Sequence, residues 1–512
     1  MSFPFSDISE TNEIRNIIYN SFNSRNDVGM ELIDALSSGT KVDAPIELSQ
    51  SHHFTRQHSS ISQSITQFIT EEAMSEALKT VSIAVQNHLD LFNDSDDEIR
   101  FFALDETGIF KPCAKAMDDR GHVHGCSKTH GAIGVGHSYS YLVGLSPMLG
   151  NWVIPINKQR VATSDSGITL GLKQFRGHVE SQKNGKMSVL TADSKYSTKE
   201  AVNEIYETGG NTLLLTRLNS VRNLYFPYTG GQKKIGMDKE YGDIFQLHDD
   251  STWSESADSM DFDIESVRGK KYKVKLTKWE KLIMSGSNEI KMHDRYFDIV
   301  RVLITNEAGE SVHHKCMWLM LAGENRDLLS MRDIFERYTE RFKIEHFFRF
   351  SKQQLLLGKY QTPDTETQNK WCDFSALAYL NLLSCSGLAN SDLVKPWQKG
   401  MQNKNPQGTK SPSQTKRMFD SISAATGTPA TACNYVQHGD GRKLGTILEK
   451  RGKKPVIRKS EPDQKSISVK SKKQNKKSDA EKIKKASEKL TSGELDNLHA
   501  ILVKLDMIEK TA

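Results

Sequence analysis

Tyr338–Lys352 reads YTERFKIEHFFRFSK, the stretch on which the choice of fold turns. Tyr338, Arg341, Glu345 and Lys352 are separated by steps of 3, 4 and 7 residues. On one α-helix turning about 100° per residue, all four fall within an arc of about 60°. Glu336 and Glu340 fail the same test, lying about 160° and 200° from Tyr338. The predicted face therefore carries an aromatic hydroxyl, two cations and a single carboxylate. Taken alone, it would be an ordinary solvated face with i,i+3 and i,i+4 ion pairs.

The sequence upstream changes that reading. EIRFFALDET is a predicted strand carrying Asp105 near its end, and MSVLTADSKY is another that ends at Asp193. GAIGVGHSYSYLVGL and NWVIPINKQRVA are strand candidates between them, followed by a polar stretch. STKEAVNEIYETGG opens on a Ser/Thr cap signal and closes on Gly209–Gly210, which marks a helix at both ends. TLLLTRLN is a further buried strand. This order predicts an α/β domain with a mixed sheet flanked by helices. Carboxylates at two strand ends, facing a third on a packed helix, make a cradle for divalent metal. Mg²⁺ takes hard oxygen ligands, and metal ions about 4 Å apart activate a nucleophile and stabilise a leaving oxygen. Arg341 and Lys352 suit adjacent phosphates, and Tyr338 can hydrogen-bond another.

Y-x2-R-x3-E-x6-K resembles the YREK signature of bacterial insertion-sequence transposases with an RNase H-like catalytic core. The resemblance covers roughly residues 95–390. It implies that Asp105, Asp193 and Glu345 are the catalytic DDE metal ligands, served by Mg²⁺ with Mn²⁺ as a substitute. Tyr338, Arg341 and Lys352 would contact DNA. Glu106 follows Asp105 directly and leaves that assignment open to a neighbour. The implied partners are double-stranded DNA, as terminal inverted repeats and target, and a second copy in a synaptic dimer. The implied reaction is cleavage at element ends followed by attack of a 3′ hydroxyl on target DNA. Some relatives use a DNA hairpin and stack an aromatic residue on a flipped base, for which Trp279 and Trp318 are candidates. The implied location is the bacterial cytoplasm, associated with the nucleoid. Two alternatives remain: a nuclease of the same fold that does not join strands, and a DNA-binding protein with decayed catalysis.

The chain divides by composition. Residues 1–95 read as a helical N-terminal region expected to bind DNA ends, with Ser49–Ser64 as a loop and Ala73, Ala77, Val81 and Ile83 as a helical stripe. Residues 96–220 form the first part of the core, 221–325 an all-β insertion, and 326–400 the second part with the Glu345 helix. Residues 401–478 read as a flexible basic linker opening on NPQGTKSPSQTK, and 479–512 as a C-terminal helix with Leu495, Leu498, Leu502 and Leu505 in 3-4-3 spacing. The formal charge of +5 is uneven: Lys450–Lys489 carries 16 Lys/Arg and 5 Asp/Glu, a local +11, leaving about −6 elsewhere. A Lys-rich run of this kind binds nucleic acid without sequence preference.

The six cysteines are sparse and form no C-x-x-C pair, as expected of reduced thiols. Cys113, His122, His124, Cys126, His130 and His137 match no common zinc-finger spacing, so a structural role or DNA contact is expected of them. The opening MSFPFSDISE lacks a basic and then apolar leader, and no run of 18 apolar residues occurs, so no membrane span is expected.

Overall fold

MSVLTA and TLLLTR are unbroken apolar or β-branched runs, and such runs belong where a sheet is covered on both faces. The computed structural model places them there. It describes residues 4–90, 99–127, 131–182, 185–219, 221–230, 240–266, 269–312, 316–390, 410–433, 444–447 and 451–457. The chain divides into two units, Met1–Ile457 and Arg458–Ala512. All described residues lie in the first, so the expected leucine stripe at Leu495–Leu505 and most of the basic run fall outside them.

β5 (Met187–Ala192) and β6 (Thr212–Arg217) run parallel in the middle of a ten-stranded mixed sheet. β1 (Ile99–Phe110) lies parallel to β5 on its other side. β3 (Gly131–Leu145) pairs antiparallel with β1, and β2 (Gly121–Ser127) and β4 (Ile154–Val161) pair antiparallel with β3. Beyond β6 come β12 (Met317–Ala322), β11 (Phe297–Asn306), β10 (Lys271–Leu282) and β9 (Asp258–Glu265). β7 (Asn223–Pro227) and β8 (Tyr241–Gln246) form a separate hairpin. This mixed sheet flanked by helices is compatible with the expected RNase H-like fold. The stretch expected as an all-β insertion is β-rich, but four of its strands extend the main sheet, because β12 pairs with β6.

One sheet face is covered by α5 (Gly167–Ser181) and α6 (Lys199–Thr208), where Phe102, Leu104, Leu172, Phe175, Leu190 and Ile205 share a core. Part of the other face is covered by α7 (Met331–Glu340), whose Ile334, Phe335 and Tyr338 pack on Val189, Leu213 and Leu215. The rest is covered by α8 (Lys343–Gln354) and α9 (Thr365–Ser384). α9 is buried around its whole circumference. The N-terminal helices α1 (Ile8–Asn20), α2 (Asn26–Ser37) and α4 (Glu71–Asp90) close over it and spend their apolar faces on the same core. A buried polar knot joins them. Arg15 pairs with Asp34 at 3.0 Å and donates to Asn381 and to the Gly427 carbonyl.

Several expectations change here. The polar stretch before Asp193 contains α5, whose cap signal is Ser166 accepting from the Thr169 amide. The expected loop at Ser49–Ser64 includes a 3-10 turn at Pro45–Gln50 and the short helix α3 (His58–Gln63). The α4 stripe is Met74, Ala77, Leu78, Val81, Val85 and Leu89, while Ile83 is exposed. The supposed linker opening holds a helix, Pro412–Thr426, started by a Ser411–Gln414 capping box. The single helix expected over Tyr338–Lys352 is two, α7 and α8, joined at Arg341–Phe342 by tight i to i+3 hydrogen bonds.

Candidate active site

Alternation along β1 sorts its two acids. Phe102 and Leu104 face the α5 side of the sheet, whereas Ala103 faces the α8 side. Asp105 shares the face of Ala103 and reaches Arg341, with Nη1 3.6 Å from its Oδ2. Glu106 points the other way. Its carboxylate accepts from the Ser138 hydroxyl at 3.3 Å and fills the space beside Gly167, where a Cβ would lie 1.7 Å from Oε1. The neighbour left open by the sequence is thereby separated from Asp105.

Asp193 follows the end of β5. Register pairs Leu104 with Ala192, so the two aspartates occupy the next positions of adjacent parallel strands. Asp193 caps the 3-10 turn Ser194–Tyr196, accepting from the Ser194 amide and, at 3.1 Å, from its hydroxyl. Glu345 sits in the first turn of α8, with its side chain half exposed, and accepts from Arg341 Nη2 at 3.3 Å. Arg341 is 5% exposed, so one buried guanidinium spans Asp105 and Glu345.

Burial pushes Asp105 from its usual 3.8 up to about 6. Arg341, the Glu106 amide and Lys195 oppose that rise, and the charge of Asp193 adds to it. A carboxylate that remains hard to ionise beside an arginine is short of positive charge. Carboxylate oxygens are the hard donors that a divalent ion such as Mg²⁺ takes, and Asp105 is the one of the three that carries this deficit. The cradle is open, however. Among the described residues, His52, His53 and Asp420 have ligand atoms all within 4.8 Å of one another, and the three acids do not.

The three residues expected to meet DNA are placed unequally. Tyr338 is 2% exposed and packs in the core under α7, with the Arg341 guanidinium 5.7 Å from its ring centre. A phosphate contact by its hydroxyl is not available in this arrangement. Burial raises the Tyr338 hydroxyl pKa, and the nearby charges of Arg341 and Asp193 are also felt there. Arg341 is engaged by two acids instead of facing solvent. Lys352 is half-buried two turns beyond Glu345, and burial alone pushes its ammonium down.

Sequence reasoning missed two neighbours. Exposed Lys195 acts on Asp105 from the loop after β5. Tyr196 is buried with a hydroxyl that has no hydrogen-bond partner among the described residues, and burial and then the charges of Glu106, Asp105 and Asp193 raise its pKa. Both stand directly after Asp193 in ADSKY, but nothing in their spacing marked them. Trp279 and Trp318, the residues considered for base stacking, are each 4% exposed and pack with Phe245 and Trp253. In this arrangement neither presents a free face. Of the Cys/His group, His137 is buried against the Asp118 carbonyl at 2.9 Å, while Cys126 and His130 lie where side chains are not described.

No helix among the described residues is long and apolar enough to cross a membrane. The chain matches no protein-family model and no curated protein. Among solved structures it is similar to a piggyBac transposase synaptic complex with hairpin DNA, at 12% identity and a TM-score of 0.34, over 83% of this chain and 81% of that one.

Proposed function

We propose that this chain is a DNA transposase of the DDE type, carrying out metal-assisted phosphoryl transfer on double-stranded DNA. The observation that supports this most directly is the buried, charge-deficient Asp105, beside Asp193 and joined to Glu345 through Arg341. The YREK spacing supplies Glu345 independently, and the strand-end context of FFALDET and VLTADSKY supplies Asp105 and Asp193. Mg²⁺ or Mn²⁺ held by Asp105, Asp193 and Glu345 would supply an activated water or 3′ hydroxyl and charge for the leaving oxygen.

The chain's own residues prepare that site. Arg341 holds Asp105 through one terminal nitrogen and the half-exposed Glu345 through the other. The capped turn at Ser194 fixes the Asp193 carboxylate. Exposed Lys195 offers a point charge to a phosphate at the mouth. Buried Tyr338 has a positioning role under Arg341 and forms no covalent link to DNA. A bacterial insertion-sequence origin and a synaptic homodimer belong to the same proposal.

The test is incubation of a linear DNA carrying the coding region and its flanks with the protein and Mg²⁺. Wild type is compared with Asp105→Asn, Asp193→Asn and Glu345→Gln. Cutting by wild type alone, with joined products on a supercoiled target, is the expected result. Equal cutting by all four proteins would assign the chemistry to other residues. Cutting without joined products would leave a nuclease.

A further inference from the structure

We propose that His52, His53 and Asp420 form a binding site for one first-row transition-metal ion of the Zn²⁺ class, separate from the acid cradle. One ligand atom from each residue lies within 4.8 Å of the others. His53 Nε2 is 3.0 Å from Asp420 Oδ1, and His52 Nε2 is 4.0 Å from the same oxygen. Bonds of about 2.0–2.1 Å from one ion to nitrogen and oxygen put neighbouring donors roughly 3.3 Å apart in a tetrahedron. The two imidazole-to-carboxylate distances bracket that value and the remaining pair lies within 4.8 Å, so side-chain rotation is what an ion would require.

The surroundings prepare the three donors. His53 is largely buried against Phe419, with ring centres 5.5 Å apart, and the two imidazoles lie 4.0 Å apart. The Gly39 amide donates to Asp420 Oδ2 at 3.3 Å, which leaves Oδ1 facing the imidazoles. Lys416, one turn earlier on the same helix, donates to the Leu36 carbonyl. His52 is 64% exposed at its side chain, which leaves a coordination position open to water.

Ligand chemistry separates this site from the catalytic one. Two imidazoles and one carboxylate suit Zn²⁺, Co²⁺ or Ni²⁺, whereas three carboxylates suit Mg²⁺ or Mn²⁺. Position gives the ion a structural use. His53 and Asp420 are 367 residues apart in sequence, and one belongs to the N-terminal region while the other is on the helix Pro412–Thr426. A shared ion would clamp that helix to the loop after Gln50.

The experiment is Co²⁺ and Zn²⁺ titration of the full chain in excess Mg²⁺, which occupies the carboxylate cradle. Binding is read from the visible Co²⁺ spectrum and from calorimetry, with melting followed in Zn²⁺. Wild type is compared with His52→Gln, His53→Gln and Asp420→Asn. Wild type is expected to bind one more equivalent than any variant. Its affinity at that site should exceed theirs by more than the roughly 10–100-fold cost of losing a group that merely orients a ligand. Zn²⁺ should raise the melting temperature of wild type only. His52→Gln alters an exposed side chain and serves as the variant whose folding is not at stake. The same stoichiometry and the same Zn²⁺ response in all four proteins would overturn the proposal. So would a wild type that binds neither ion in excess Mg²⁺.

Discussion

Asp105→Asn is expected to stabilise the metal-free protein while destroying its activity. Burial moves the Asp105 carboxyl from its usual 3.8 up to about 6, net of the opposing pull of Arg341. A shift of roughly 2 units at about 1.4 kcal/mol each makes the ionised form costly by about 3 kcal/mol. The side chain is only 17% exposed, so solvent screening removes a modest part of that. The folded-state value lies above the unfolded one. Stability linked to this group is therefore full below about pH 3.8 and is lost as pH rises through about 6. Asparagine has no charge to desolvate, and Arg341 keeps Glu345 as a partner. The variant should then exceed wild type by up to about 3 kcal/mol at pH values above 6 and converge on it toward pH 4. With an unfolding entropy of about 2.1 cal/mol/K per residue over the larger unit, this is a melting shift on the order of 3 °C. The assay is a thermal melt in EDTA across that pH range, repeated with Mg²⁺. The ion should raise wild type and leave the variant unmoved. A variant that melts at or below wild type by the same margin at every pH would refute the assignment of Asp105 as a buried, charge-starved ligand.

Asp193→Asn and Glu345→Gln should each fold normally and lose DNA cleavage by about a thousandfold or more, since metal assistance supplies several kcal/mol; circular dichroism with a gel assay checks both halves. Tyr338→Phe should retain DNA affinity within about threefold, because the hydroxyl is buried under α7; a binding isotherm showing a larger loss would put it at the DNA after all. Arg15→Ala leaves the buried Asp34 without its counter-charge, with only Asn381 and Thr428 still donating to it, and should cost about 3 kcal/mol, measurable by denaturant titration, with no separate effect on catalysis in the folded fraction.

What could be read from the sequence follows from how local each signal is. β5, β6 and α6 were legible because a short apolar run, or a cap at one end and Gly209 at the other, carries its information within ten residues. α5 was missed because its buried positions include Gly171 and Gln174, which no hydropathy pattern marks as core. The helix Pro412–Thr426 was hidden by a Pro/Ser-rich opening that looks like linker and is also a capping box. The joining of β12 to β6 is a pairing between segments about a hundred residues apart, and strand pairing at that range leaves no local trace.

The candidate site shows the same division between local and long-range information, with one useful exception. The spacing in YTERFKIEHFFRFSK correctly puts Arg341 beside Glu345, because an i,i+4 contact survives the break between α7 and α8. The same spacing misplaces Tyr338 as a surface group. A helical wheel says which residues share a face but not what covers that face, and here the covering is the sheet itself. The choice between Asp105 and Glu106 was decidable in principle from period-2 alternation, had the inward face of β1 been known. Phe102 and Leu104 are buried on the α5 side and Ala103 on the α8 side, so both faces of this strand are covered. A strand with two buried faces gives no polar-out signal to set the phase. Only the third acid, arriving on α8 with Arg341 between, tells which of the two neighbouring acids of β1 shares a side of the sheet with Glu345.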